Sequence, residues 1–289
     1  MTYLAHLLNM TCLYVLLGTS LNLAVGYGGL LSLCQAAFYG FGAYATALIM
    51  IGRGYSFFLA VPLAIALTMI FAIVVGALLT RLRNDSFVLA TLAVQSIVSA
   101  VLYNWINVTR GPYGISLPQS VTVAGTVLDV PERYALMTIV LTAVTLLMVW
   151  RMVNSPFGRS LRAVRDDEQS ASALGLQVDR FRSTAFAASG GLAAIPGSLF
   201  LGYMTYIDPT SFPLGESIVI LTVVILGGAG SFWGPLIGAL IVVLAPEALR
   251  FLPLSSAATA NLRQILYGCL LIGLMRYRRQ GVIGEYDFE

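Results

Sequence analysis

Three arginines, Arg159, Arg162 and Arg165, run into three carboxylates, Asp166, Asp167 and Glu168, within the stretch PFGRSLRAVRDDEQSASALGL, Pro156–Leu176. On a helix Arg162 and Asp166 stand four apart, and Arg165 and Glu168 three apart. Such spacings make ion pairs worth a few tenths of a kcal/mol each, which is pairing chemistry rather than catalysis. Phe157, Leu161, Val164, Ala171 and Leu174 recur on one face. Pro156 suits a first helical position, and Gly175 suits the residue just past the last. The sequence therefore predicts one amphipathic helix over 156–175, with an apolar stripe and a charged back. A helix of this kind lies on lipid or enters a groove on a soluble partner. Lipid-surface helices tend to be basic. Here the carboxylates offset the arginines, and Ser170, Ala171, Ser172 and Ala173 are small, so the protein groove fits better.

Elsewhere, groups that could do chemistry are sparse. All 16 basic residues are arginines, so the lysine that a phosphate-binding loop needs is missing. The one histidine, His6, and the three cysteines, Cys12, Cys34 and Cys269, lie far apart in apolar runs. That is neither metal-ligand spacing nor a disulfide framework, and the thiols read as small packing residues. No aspartate pair or Ser–His arrangement marks an enzyme site. The chain is expected to bind no cofactor or metal of its own and no nucleic acid.

The elements that must hold these groups are set by hydropathy. The 289 residues are 58% hydrophobic and only 10% charged, with mean hydropathy +0.86. Yet six basic and four acidic residues crowd between Arg151 and Arg182. No charge precedes Arg53, and one helix of that length would run about 78 Å, against a hydrocarbon core of about 30 Å. With no basic n-region, the start is not expected to be a cleavable signal. Uncharged runs predict nine spans in an all-α membrane bundle, near 3–25, 30–50, 55–80, 86–104, 133–151, 183–203, 216–229, 234–252 and 261–277. The seventh is short enough to be re-entrant or strongly tilted, and GGAGSFWGP, Gly227–Pro235, turns it into the eighth. Arginine bias favours an N-terminus outside and a C-terminus inside, with eleven of the 16 arginines on the inner face. One domain, 1–289, then has an outer loop over 104–133 holding turns and a short hairpin. An inner segment follows over 152–182, and a short inner tail over 278–289.

Solute paths in such bundles use broken helices, because freed backbone groups are tolerated only where they line a cavity or are buried in protein. The best candidate is GYGGLLSLCQAAFYGFGAY, Gly26–Tyr44, where Gly26, Gly28 and Gly29 interrupt the run and Ser32, Gln35 and Tyr44 supply polar groups. Asn22, Thr91 and Gln95 are further path candidates; each could instead be an interhelical hydrogen bond, and the small residues could serve close packing. The spans hold almost no ionisable group, with Glu247 and Arg250 toward an outer end. That argues against an ion-coupled secondary transporter, because a charge at the bilayer centre costs about 2.5–3.5 kcal/mol and usually marks coupling.

Five blocks together resemble the LivM-type permeases of ABC importers for branched-chain amino acids. They are LNLAVGYGGLLSLCQAAFYGFGAYATAL (Leu21–Leu48), TRGPYGI (Thr109–Ile115), the Pro156–Leu176 stretch, GYMTYIDPTSF (Gly202–Phe212) and VVILGGAGSFWGPLIGAL (Val223–Leu240). Two departures stand out: family members usually carry one more N-terminal span, and Cys34, before Gln35, stands where a glycine is usual. The resemblance implies a permease subunit in a bacterial plasma membrane, importing branched-chain or other neutral amino acids; urea and short amides remain open. It implies as partners a homologous H-type permease, two cytoplasmic ATPases that use ATP and Mg2+, an extracytoplasmic solute-binding protein and membrane lipid. It makes the 156–175 helix the coupling helix, with Gly158, Arg159, Leu161, Arg162, Val164, Arg165, Asp166, Asp167, Glu168, Ala171 and Gly175 facing the ATPase.

Overall fold

Apolar runs of this length fold as helices because lipid offers the backbone no hydrogen-bond partners, so each segment must satisfy its own N–H and C=O groups. The computed structural model of the chain describes residues 2–82, 85–117, 122–123, 126–127, 131–249 and 268. Its long helices are α1 (Thr2–Asn22), continued by a π-helical turn Leu23–Tyr27, α2 (Gln35–Arg53), α3 (Phe57–Leu79) and α4 (Asp85–Asn104). A short α5 (Ile106–Thr109) precedes α6 (Pro131–Asn154); α7 (Pro156–Asp166), α8 (Glu168–Ala173), α9 (Val178–Met204), α10 (Leu214–Gly227) and α11 (Gly234–Leu249) follow. Six stretches among the described residues are long and apolar enough to cross a membrane, beginning at Tyr3, Phe57, Asp85, Glu132, Val178 and Pro209. The 19-residue α2 is not one of the six, and the apolar part of α11, Gly234–Leu244, is shorter. Apart from residue 268, the expected ninth span falls outside the described residues, as do the tail and residues 118–121, 124–125 and 128–130 of the outer loop.

Helix α9 is the axis: 83% of its apolar window is buried, against 28% for α4. Helices α2 and α3 pack on α9, α6 packs on α1, and the α10–α11 pair rests on α1. Small residues set the close approaches. A Cβ at Gly42 of α2 would stand 2.5 Å from Ala194 Cα of α9, and one at Gly190 of α9 would stand 2.5 Å from Ala72 Cβ of α3. Where backbones come this near, van der Waals contact replaces the hydrophobic effect that is absent between helices in lipid. Aromatic edges fill the wider gaps, with Phe38 against Phe186 at 5.4 Å and Phe186 against Phe87 at 5.8 Å. The outer faces of α3, α4 and α6 expose Leu59, Ile70, Leu89, Ile97, Val144 and Met148, as a lipid-facing wall requires.

Two expectations are corrected. The second span does not begin near residue 30; residues 28–34 are non-helical and α2 starts at Gln35. The helix expected over 156–175 is two helices, because Asp167 adopts an extended conformation and caps the second. The 104–133 loop holds its hairpin, β2 (Thr122–Val123) against β3 (Thr126–Val127). It also forms a pairing that local sequence does not announce: β1 (Ile115–Ser116) runs antiparallel to β4 (Tyr206–Ile207), just after α9.

Candidate functional site

Two places in the fold carry the polar residues singled out in the sequence. The first is the break between α1 and α2. The backbone that leaves the helix there is satisfied by side chains from neighbouring elements, as a buried break requires. Leu33 N donates to Thr91 Oγ1 at 3.1 Å, Cys34 N to Ser32 Oγ at 3.4 Å and Ala36 N to Ser217 Oγ at 2.9 Å. Gln35 Nε2 donates to Ser20 Oγ at 2.7 Å, and Ser189 Oγ donates to Gln35 Oε1 at 3.4 Å. Ser217 Oγ donates onward to Gln95 Oε1 at 3.3 Å, while Gln95 Nε2 donates to Phe212 O at 3.1 Å. Asn22 reaches across to the α10–α11 turn, donating to Ser231 O at 2.9 Å and accepting from Gly230 N at 3.0 Å. Gly26 makes that approach possible, since a Cβ there would collide with Asn22 Oδ1 and Gly230 N. Asn22, Ser32, Gln35, Thr91 and Gln95 are thus tied into helix-to-helix or break-capping bonds, the structural alternative the sequence left open. Tyr44 differs: its hydroxyl is buried without a hydrogen-bond partner, and its ring meets Phe212 at 6.2 Å. Cys34 sits at φ −102°, which any residue adopts, so the usual glycine is not needed.

One residue in this region escapes the sequence reading. Glu216 was expected at the edge of the seventh span. Glu216 in the first turn of α10 lies beside α1, where the Tyr14 side chain hydrogen-bonds to it. Tyr14 sits at the middle of the 25-residue helix Tyr3–Tyr27, so the carboxylate lies near mid-bundle. A favourable helix dipole offers a first-turn carboxylate about 0.3–1 kcal/mol, less than the roughly 2.5–3.5 kcal/mol a mid-membrane charge costs. Capping alone does not account for it. In the sequence the only signal is an acid opening an apolar run, which reads as an ordinary helix start.

The second place is the charged segment. Pro156 opens α7 behind the Ser155 cap, and Gly175, φ +85°, follows the end of α8, both where the sequence puts them. Its apolar stripe, however, faces this chain's own helices. Leu161 is 0% exposed, in a cluster with Leu23, Tyr27, Val149, Val153 and Ala185, and Val164 and Ala171 are buried as well. Phe157 stacks on Phe181 at 5.6 Å. Arg162 is turned away from Asp166: it donates to Val153 O at 3.1 Å and lies over the Tyr27 ring at 5.8 Å. Arg165 pairs with Asp166 at 2.7 Å and donates to Gly26 O at 2.6 Å, joining α7 to the π-helical turn. Glu168 pairs with Arg182 at 3.1 Å, joining α8 to α9. What remains outward is Arg159, Asp166, Asp167, Gly175 and Leu174, the last 83% exposed. Beside them an open groove of about 1200 Å³ runs between α8 and the first turn of α9, lined by Asp167, Glu168, Gln169, Asp179 and Arg180 among others. The Asp167 carboxyl is held below the usual carboxylate range by hydrogen bonds from Ser170 Oγ and from the Ser170 and Gln169 amides. Among the described residues no group of three or more His, Cys, Asp or Glu side chains could hold a metal ion.

Residues 3–275 match the family described as the permease component of branched-chain amino acid transport systems. The chain is 31% identical to the high-affinity branched-chain amino acid transport permease LivM of Salmonella typhimurium, over 95% of this chain and 68% of that one. The LivM protein of Escherichia coli is 30% identical over the same shares. The LivH permease of Salmonella typhimurium is 26% identical over 96% of this chain and 92% of its own.

Proposed function

The chain belongs to the family of permease components of branched-chain amino acid transport systems, and from that premise we propose that it is a membrane-spanning subunit of an ATP-driven importer of branched-chain or other neutral amino acids. The observation that carries the reading is the polar break at residues 28–34. It lies inside the bundle and is joined through Gly26 O to Arg165 of the charged segment. Motion of α7 therefore bears directly on the one stretch of α1–α2 that is not held by helical hydrogen bonds. Rigid elements meeting at such a junction are how a small displacement becomes a switch between two packings.

The chain works with a homologous H-type permease; its likeness to both LivM and LivH supports a paired assembly. Two cytoplasmic ATPases consume ATP and Mg2+, and a solute-binding protein delivers the amino acid from outside. This chain binds no cofactor. It lies in a bacterial plasma membrane with nine spans, the ninth over 261–277, the N-terminus outside and the α7–α8 segment inside, a placement supported by the arginine bias. The ATPase contact is the outward face of α8 with Leu174 and the adjoining groove, since the apolar stripe of α7 is already covered.

Reconstitution in liposomes tests the reading. Concentrative uptake of leucine, isoleucine or valine should require ATP, both permeases, the ATPases and the binding protein together. Uptake by this chain alone, driven by a proton gradient without ATP, would place it in a different class of transporter.

A further inference from the structure

Helices α2 and α3 are both seated on α9, whereas α4 leans on α2 and scarcely meets α3. A groove of about 660 Å³ is left between the three, within the range of about 300–1,000 Å³ that takes a drug-sized ligand. The stacked rings of Phe41 and Phe71, 4.8 Å apart, lie at its deep end, and Gly52, Arg53 and Trp105 stand at its mouth. From Phe41 to Arg53 the helix covers about 18 Å at about 1.5 Å per residue, close to one leaflet of a hydrocarbon core about 30 Å thick. The groove opens sideways as well, since Leu67, Ile97 and Val101 along it are exposed on the membrane wall. Arg53 is the one charged side chain on its described lining, it is exposed, and among the described residues no carboxylate pairs with it. A Cβ on Gly52 would meet nothing within 4 Å, so the protein itself leaves the mouth unfilled.

We propose that this groove is a binding site for one acyl chain of an anionic phospholipid, whose phosphate pairs with Arg53 while Trp105 lies at headgroup level. A guanidinium presents paired N–H donors that match phosphate oxygens, and a tryptophan is at home where the apolar and polar layers of a bilayer meet. A chain can enter from the side without leaving the hydrocarbon, and it fills a slot one leaflet deep. Charge decides among the occupants. A zwitterionic headgroup, or a free amino acid, also carries an ammonium, and no carboxylate on the described lining meets it. An anionic headgroup leaves no such group unmatched, which is how basic pockets between membrane helices select it. The bound lipid would brace α4, the least buried of the long helices, against α2 and α3.

The test uses the full chain, in the complex in which it purifies from membranes, placed in vesicles of equal parts phosphatidylglycerol and phosphatidylcholine. One of the two lipids carries a photoreactive diazirine on an acyl chain, and adducts on this chain are mapped by mass spectrometry after illumination. Adducts from phosphatidylglycerol should concentrate on 41–53, 67–75 and 94–105 and exceed those from phosphatidylcholine there by about threefold or more. Adducts at Val144 and Met148, on the exposed wall of α6, should show no such preference. Arg53→Gln should bring the two lipids level in the groove. Gly52→Trp, which fills the mouth without meeting a neighbour, should remove most groove adducts and leave those on α6 unchanged. Equal labelling by both lipids in the wild type overturns the proposal, as does a preference that survives Arg53→Gln. Groove adducts that excess L-leucine displaces would make it a solute cavity instead, and a groove shielded from both lipids would mean that another subunit covers it; either result overturns the lipid site.

Discussion

Asp167 shows how one side chain divides an element. Its carboxylate takes the amides of Gln169 and Ser170 and the hydroxyl of Ser170, so the backbone turns extended at that residue and starts α8 afresh. A side-chain oxygen satisfying the first free amides is what makes an aspartate a helix start. Asp167→Ala should strip amide-exchange protection from the first turn of α8, while Asp167→Asn should retain most of it. Because these bonds hold the folded carboxyl below its ordinary value, the cap is complete at neutral pH. It should be lost only as pH falls through that lowered value. Exchange rates that do not respond to either substitution would contradict the capping role. The same scale explains why the polar path candidates were ambiguous. A glutamine such as Gln35 can meet a solute or a serine equally well, and its type does not say which; Ser20 and Ser189 do.

At the scale of elements, the α7–α8 segment has two faces with opposite duties. The stripe through Leu161 and Val164 seats α7 on the π-helical turn after α1, on α6 and on α9, whereas Leu174 and the outer side of α8 are open. Leu161→Asp should therefore cost several kcal/mol by burying a carboxylate among apolar side chains, and lower the yield of folded protein in the membrane. Leu174→Asp should leave folding and insertion unchanged and reduce co-purification of the ATPases. Pull-down from detergent-solubilised membranes separates the two: if Leu174→Asp retains the ATPases fully, the contact lies elsewhere. The sequence pattern alone could not make this assignment. A 3.6-residue repeat establishes that a helix has an apolar face, but is silent on whether the chain's own helices or another protein cover it.

For the whole molecule, the arginine distribution predicts that the α7–α8 segment and the N-terminus lie on opposite sides of the membrane. A cysteine introduced at the exposed Ser172, in a background with Cys12, Cys34 and Cys269 removed, should react with an impermeant maleimide only after cells are permeabilised. Labelling in intact cells would reverse the topology. The span limits near 57–79, 85–104 and 178–204 were legible to within a few residues, because hydropathy over such a length leaves no other structure a bilayer can accept. The family was legible as well, since its motifs are local strings. The start of α2 at Gln35, the β1–β4 pairing and the depth of Glu216 were not. Each depends on partners far away in the chain: Thr91 and Ser217 for the break, residues 115–116 for the strand and Tyr14 for the carboxylate. The sequence by itself determined which segments are helical and apolar, because that follows from each segment's own solvation. Only the tertiary structure decided which polar groups are already spent on one another, because satisfaction is a property of pairs brought together by packing.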